Sequence, residues 1–75
     1  MTYKRIELVH HTYTQRRKGT GVDAGETYFV RCIGGNGEAL WTSETYTTKR
    51  KAHNLAQSEA ELHGFASYKF VEWAE

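Results

Sequence analysis

The tightest constraint on the fold is a short glycine-rich segment between two apolar runs. Residues 34–37 read GGNG, and they separate TYFVRCI at 27–33 from EALWTS at 38–43. An Asn-Gly pair in such a setting is the strongest short-range signal for a β-hairpin, because both residues accept the positive φ that tight hairpin turns need. The sequence therefore predicts that two strands pair through a turn at Asn36 and Gly37.

Flanking segments supply the other strands. Residues 3–13 alternate and are rich in Thr and Tyr, which predicts a first strand. Residues 14–26 contain three glycines and no periodicity, which indicates a long flexible loop. Residues 65–73, FASYKFVEW, predict a final strand. Nothing in the sequence marks a second domain, so residues 1–75 are expected to form one.

One helix is expected between the third and fourth strands. Thr47 or Thr48 can cap its start, and Gly64 suits the position after its end. The apolar residues at helical spacing between them are Ala52, Leu55, Ala56 and Leu62. The sequence thus predicts an α+β fold, with one helix on an antiparallel sheet.

The size of the chain points to a second copy. A chain of 75 residues buries only about 60% of the surface that its unfolded form exposes, and its single cysteine excludes an intrachain disulfide. The second strand is apolar on both sides, with Phe29 and Ile33 opposite Tyr28, Val30 and Cys32. We expect a homodimer whose second copy covers one sheet face, although Tyr and Trp also sit half exposed in many monomers.

The central half of the chain resembles the YegP-like family of small bacterial domains of unknown function. The matching positions are an aromatic strand, an NGE hairpin, a strand ending in Ser, a Tyr corner and a helix with Asn in its second turn: Tyr28, Phe29, Asn36, Gly37, Glu38, Ser43, Tyr46, Lys49, Ala52 and Asn54. The resemblance implies a β(3)-α-β order and, for a single repeat, a homodimer. It implies structural roles for Asn36, Gly37 and Tyr46, and a tie from Asn54 to a neighbouring backbone group.

Composition narrows the setting and the class of partner. The sequence shows no apolar run of signal-peptide or membrane-span length, and one thiol fits a reducing compartment, so a cytoplasmic location is expected. A net charge of +1 gives no global field for nucleic acid or anionic lipid.

Two basic clusters are candidates for anion or nucleic-acid binding. Lys49, Arg50 and Lys51 fall in the first helical turn, where cations oppose the helix dipole but backbone N–H groups attract anions. Arg16, Arg17 and Lys18 lie in the expected loop and can contact a phosphate backbone. Both clusters are also consistent with simple solvated surface.

The sequence offers little to support catalysis or a metal site. His10 and His11 are adjacent in a strand, so their side chains point to opposite faces. Cys32 lies in an apolar strand, where an inert thiol is the usual finding. We therefore expect no enzyme activity, no metal and no cofactor.

The leading hypothesis is a non-enzymatic, homodimeric interaction module that binds a protein partner. Its compact size is typical of phage and mobile-element proteins, which suggests a host factor as the partner. The expected anchors are Trp41, Tyr46, Arg16 and Arg17, since Trp, Tyr and Arg dominate such interfaces. The alternative is nucleic-acid binding through residues 16–18 and 49–51.

Overall fold

The computed structural model describes residues 3–17 and 21–74, with side chains over 3–14 and 24–74. The chain forms an α+β fold of four strands and one helix. Its elements are β1 (Tyr3–Arg17), β2 (Gly21–Gly34), β3 (Ala39–Thr42), α1 (Lys49–Leu62) and β4 (Lys69–Ala74). The sheet order is β3-β2-β1-β4, so the two long strands occupy the centre and the two short strands form the edges.

The sheet is mixed, and the prediction of a purely antiparallel sheet is wrong. β2 is antiparallel to both β1 and β3, but β4 is parallel to β1, with Glu7 opposite Lys69 and Thr12 opposite Ala74. A parallel neighbour requires a crossover of a dozen or more residues. Residues 43–68 provide that crossover and contain α1, which carries the chain from one edge of the sheet to the other.

Residues 14–17 and 21–26 form a β-ribbon, so the prediction of a long loop over 14–26 is wrong for these residues. These residues continue β1 and β2, paired from Thr14–Ala24 to Arg17–Gly21. The glycine at position 25 serves packing, because a Cβ added there would come within 2.6 Å of the Tyr13 ring. A two-stranded ribbon has no core side, so its sequence needs no apolar alternation. Lys18 and residues 19–20 lie outside the described residues.

The hairpin between β2 and β3 forms where the sequence predicts it, but with a different turn. Only Gly37 has a positive φ, of 88°, whereas positive φ was expected at Asn36 as well. The Gly37 amide donates to the Gly34 carbonyl at 2.9 Å, and Asn36 Oδ1 accepts from the Glu38 amide at 3.1 Å. This is the three-residue hairpin loop that ends in a left-handed residue.

Substituting Gly37 tests this turn. Gly37→Ala is expected to lower the free energy of unfolding by about 1–2 kcal/mol, the cost of a left-handed conformation in a residue with a Cβ. Gly35→Ala is the matched control, since a Cβ at position 35 meets nothing within 4 Å and its φ is not positive. Urea denaturation of both variants measures the difference, and equal stabilities would contradict the assigned turn.

The helix packs on the sheet through a stripe of alanines. Ala52, Ala56 and Ala60 are fully buried and form the core with Ile6, Leu8, Val30 and Cys32. The prediction that Leu62 lies on the buried face is wrong, because Leu62 is 75% exposed and Ala60 takes the inner position. Small side chains on this stripe allow a close approach of the helix to β1 and β2.

Both predicted ends of the helix are correct, whereas the predicted role of Asn54 is not. Thr48 is the N-cap residue by position, although its side chain makes no capping hydrogen bond, and Gly64, with φ of 81°, follows the last turn. The Phe65 amide donates to the Ala60 carbonyl at 2.7 Å, which closes a Schellman-type end. Asn54 is exposed on the outer side of the helix, so within the described residues it does not tie the helix to a neighbouring backbone group.

Candidate interaction surfaces

The sheet face opposite the helix carries the most distinctive chemistry, and we call it the open face. Ile6 and Leu8 point toward α1, so the odd-numbered residues of β1 from Arg5 onward point away from it. The register shift between Tyr3 and Arg5 puts Tyr3 on the helix side. Cross-strand partners share a face. The open face therefore includes Arg5, Glu7, Val9, His11, Tyr13, Thr27, Phe29, Arg31, Ile33, Ala39, Thr42, Lys69, Val71 and Trp73. In the described part of the chain, α1 packs against β1 and β2 from the other side, and no element covers the open face.

One end of the open face is charged and centres on a buried carboxylate. Glu7, with a side chain only 3% exposed, accepts from Arg5 Nε at 2.5 Å and from Arg31 Nε at 2.6 Å. Lys69 lies beside it on β4. Burial alone raises the pKa of Glu7, but the hydrogen bonds and charges of Arg5 and Arg31 outweigh it, so the pKa is lowered. Three cations against one anion leave this end with a net charge of +2.

The other end of the open face is aromatic. The His11 ring stacks on Trp73 with centroids 4.3 Å apart, and Phe29 meets Trp73 edge-on at 6.5 Å. Tyr13 lies 5.5 Å from His11 on the ribbon side. Trp73 is 47% exposed, so a large part of this ring system faces outward.

A second apolar patch lies on the edge strand β3 and consists of Leu40 and Trp41. Trp41 pairs with Cys32 beside a bulge, which places it on the helix side of the sheet. The helix lies over β1 and β2 only, and Leu40 and Trp41 are consequently 44% and 40% exposed. We call this pair the β3 edge patch.

Tyr46, expected as a partner contact, is part of the corner that joins the sheet to the helix. Its backbone exchanges two hydrogen bonds with Tyr28, at 2.7 and 2.8 Å, and its half-buried ring packs against the core. Ser43 completes this corner, because its Oγ accepts from the Val30 amide at 2.9 Å. In the structure, Tyr46 therefore stabilises the corner between the sheet and the helix.

The two basic clusters lie on different elements. Lys49, Arg50 and Lys51 are exposed at the start of α1, which has no acidic residue in its first turn. Lys49 Nζ stands 4.7 Å from the centroid of the Phe70 ring. Arg16 and Arg17 lie in β1 near the end of the ribbon, and their side chains, like all of Lys18, are outside the described residues.

The histidines and the cysteine lie at different places in the fold, where each has its own neighbours. His10 stacks on Tyr28 and contacts Glu26 Oε2 at 2.8 Å on the helix side, opposite to His11, as the sequence predicts. His53 Nδ1 contacts the Tyr68 hydroxyl at 2.6 Å. Burial and, to a lesser degree, Glu59 raise the pKa of the buried Cys32 thiol. Within the described residues, no three His, Cys, Asp or Glu side chains cluster as metal ligands.

The chain matches no family model, no curated protein and no solved structure. Among the residues that the structure describes, no helix has the length and apolar character needed to cross a membrane. Only the geometry of the surfaces themselves bears on function.

Sequence reasoning missed the charged end of the open face. Arg5 and Glu7 share a side of β1, and this spacing is visible in the sequence. Arg31, however, is 24 residues away from Glu7 and joins it only through the register of β1 and β2. The pairing of β1 with β4 likewise places Lys69 beside them.

Proposed function

We propose that this protein is a non-enzymatic cytoplasmic interaction module that works as a homodimer and binds a protein partner. The observation that carries the proposal is the apolar middle of the open face. Val9 is buried between its cross-strand neighbours Phe29 and Val71, which are themselves half-buried. A second copy over this face would complete a core that one short chain builds only in part.

The energetics of small domains support the dimer. The buried apolar residues on the helix side are few, and three of them are alanines. Burial of apolar surface stabilises a fold by about 25 cal/mol per Å², so large rings left half exposed represent stabilisation that an interface can recover. The resemblance to YegP-like domains stays a prediction and favours the same assembly.

The β3 edge patch is the surface that we assign to the protein partner. Leu40 and Trp41 project from an edge strand next to the helix, and Trp is the residue most enriched among interface hot spots. Arg16 and Arg17 on the ribbon would add contacts that steer association. We expect this protein to come from a phage or mobile element, and its partner to be a protein of the host.

Sedimentation at micromolar concentration tests the dimer. The wild-type chain is expected to sediment at twice its 8.6 kDa mass. Phe29→Ala should weaken dimerisation at least about tenfold, in the range of an interface hot spot. Phe70→Ala is the matched control, because Phe70 is an exposed aromatic residue on the helix side of the same sheet. A wild-type monomer would refute the homodimer.

Affinity capture from the native host tests the partner surface. One retained protein that is lost on Trp41→Ala and kept on Leu62→Ala would support the assignment, since Leu62 is an exposed apolar residue at the far end of the helix. Equal capture by both variants would rule out the β3 edge patch.

Nucleic-acid binding is the second candidate, and the β-ribbon formed by residues 14–17 and 21–26 favours it. Arg16 and Arg17 belong to this two-stranded ribbon, and such a ribbon fits the major groove of B-DNA. Lys18 lies outside the described residues. The exposed Lys49–Lys51 turn would contribute phosphate contacts. Affinity for arbitrary DNA or RNA that falls steeply with salt would support this reading, and no binding at modest salt would eliminate it.

A further inference from the structure

We infer that the two copies are related by a two-fold axis that crosses the strands, so that the charged end of one open face covers the aromatic end of the other. This inference rests on the proposed homodimer and assigns its geometry. The occupant of the open face is a second copy of this chain, because the face is complementary to itself only in that orientation.

The open face is ordered in three zones along the strands. The charged end contains Arg5, Glu7, Arg31 and Lys69, with Ile33 opposite Arg5. The middle row consists of Val9, Phe29 and Val71, and the aromatic end contains His11, Tyr13 and Trp73, with Thr27 opposite His11. The middle row has the charged end on one side and the aromatic end on the other. An axis through it superposes apolar residues on apolar residues and exchanges the two ends.

Symmetry leaves two ways to stack identical faces. A two-fold interface is isologous, so each contact occurs twice, and aligned sheets keep their strands within about 30° of each other. An axis along the strands would place one charged end on the other and bring together two clusters that each carry a net charge of +2. An axis across the strands places Arg5 and Lys69 of each cluster over aromatic rings of the other copy instead.

The side-chain geometry suits the second arrangement. On the crossing axis, Lys69 of each copy faces Trp73 of the other along β4, and Arg5 faces Tyr13 of the other along β1. Cations are attracted to aromatic faces, most strongly to Trp. Arg5 donates its Nε to Glu7, which holds its guanidinium plane in place for such stacking. Arg31 also donates to Glu7 but faces Thr27 of the other copy along β2.

A pulsed electron paramagnetic resonance measurement on Lys4→Cys carrying a nitroxide separates the two axes. Lys4 is exposed on β1, five residues before Val9 in the middle row. At about 3.4 Å per residue and about 10 Å between sheets, the crossing axis gives a label separation of about 35 Å, and the axis along the strands gives about 10–15 Å. Wild type treated with the same nitroxide reagent controls for reaction at the buried Cys32.

A long distance supports the inference, and a short distance in a dimer overturns it while leaving the homodimer intact. A monomer in the same sample overturns the homodimer and the inference together. A double-mutant cycle on dimer affinity is the second readout, with Lys69→Ala and Trp73→Ala. These residues are four apart on one strand and about 13 Å from each other within a copy, so they can be coupled only across the interface. If the effect of the double substitution on dimer affinity equals the product of the two single effects, the contact between Lys69 and Trp73 of the other copy is contradicted.

Discussion

Ala56→Leu is expected to lower the free energy of unfolding by about 3 kcal/mol, the upper part of the usual range for overpacking a core. Ala56 is fully buried at the centre of the alanine stripe, between Ala52 and Ala60. Three added carbon atoms must either lift the helix from β1 and β2 or force Leu8 and Val30 out of their rotamers. Urea denaturation at one fixed protein concentration measures the loss, since concentration affects the stability of a dimer.

Ser58→Leu is the control for this substitution. Ser58 is exposed on the same helix, so the substitution introduces the same leucine side chain into α1 without placing it in the core, and leucine is a better helix former than serine. Its expected effect is within about 0.5 kcal/mol, as for most surface substitutions. If Ala56→Leu were equally harmless, the helix would not be as closely packed on the sheet as the structure shows.

The features that the sequence predicts correctly are those set by local chemistry. The hairpin at Asn36 and Gly37, the N-cap at Thr48 and the glycine at position 64 each depend on a few neighbouring residues. Their backbone requirements are met within one turn of chain. Even so, the turn type was wrong in detail, because the choice between a two-residue and a three-residue loop depends on which strand residues pair.

The ribbon was missed because the sequence of its two strands lacks the usual strand pattern. Strand prediction relies on alternation between core and solvent, and the segment 14–26 shows none. Its glycines also suggested loop structure. Gly25, however, lies within a strand, where the lack of a side chain leaves space for the Tyr13 ring on the paired strand. That contact depends on the register of β1 and β2, which the sequence does not show.

The buried face of the helix and the charged end of the open face could not be predicted for another reason, which is that both depend on tertiary packing. Leu62 and Ala60 are both apolar residues near the end of α1, and only the rotation of the helix on the sheet decides which of them is buried. Glu7 meets Arg31 only after β1 and β2 pair in one register. Both outcomes are tertiary, so a single sequence leaves them open.

Glu7→Gln is expected to lower the free energy of unfolding by about 2 kcal/mol at neutral pH. Removing one charge from a buried pair leaves the other partners without their counter-charge, and hydrogen bonds to charged groups contribute about 1.5–3 kcal/mol. The value lies toward the lower end because the Arg5 and Arg31 side chains are about one-third exposed and solvent screens their charge.

The pH dependence distinguishes this ion cluster from simple packing. The pKa of Glu7 is lower in the folded chain than in the unfolded chain, so its contribution is present in full above the ordinary glutamate pKa of about 4.3 and is lost as the pH falls through the lowered value. The difference in stability between wild type and Glu7→Gln should therefore shrink in acid. Glu44→Gln, at an exposed position, should follow the wild type throughout.

The Gln variant also tests whether Glu7 stabilises the fold or chiefly positions the two arginines. If stability at neutral pH is unchanged while dimer affinity falls, the cost of burying the carboxylate offsets its ion pairs within one copy, as is common for buried pairs. Glu7 would then serve the interface by orienting Arg5 and Arg31. If the stability of Glu7→Gln is lower as expected, but its difference from wild type does not shrink in acid, the carboxylate contributes through packing rather than through its charge.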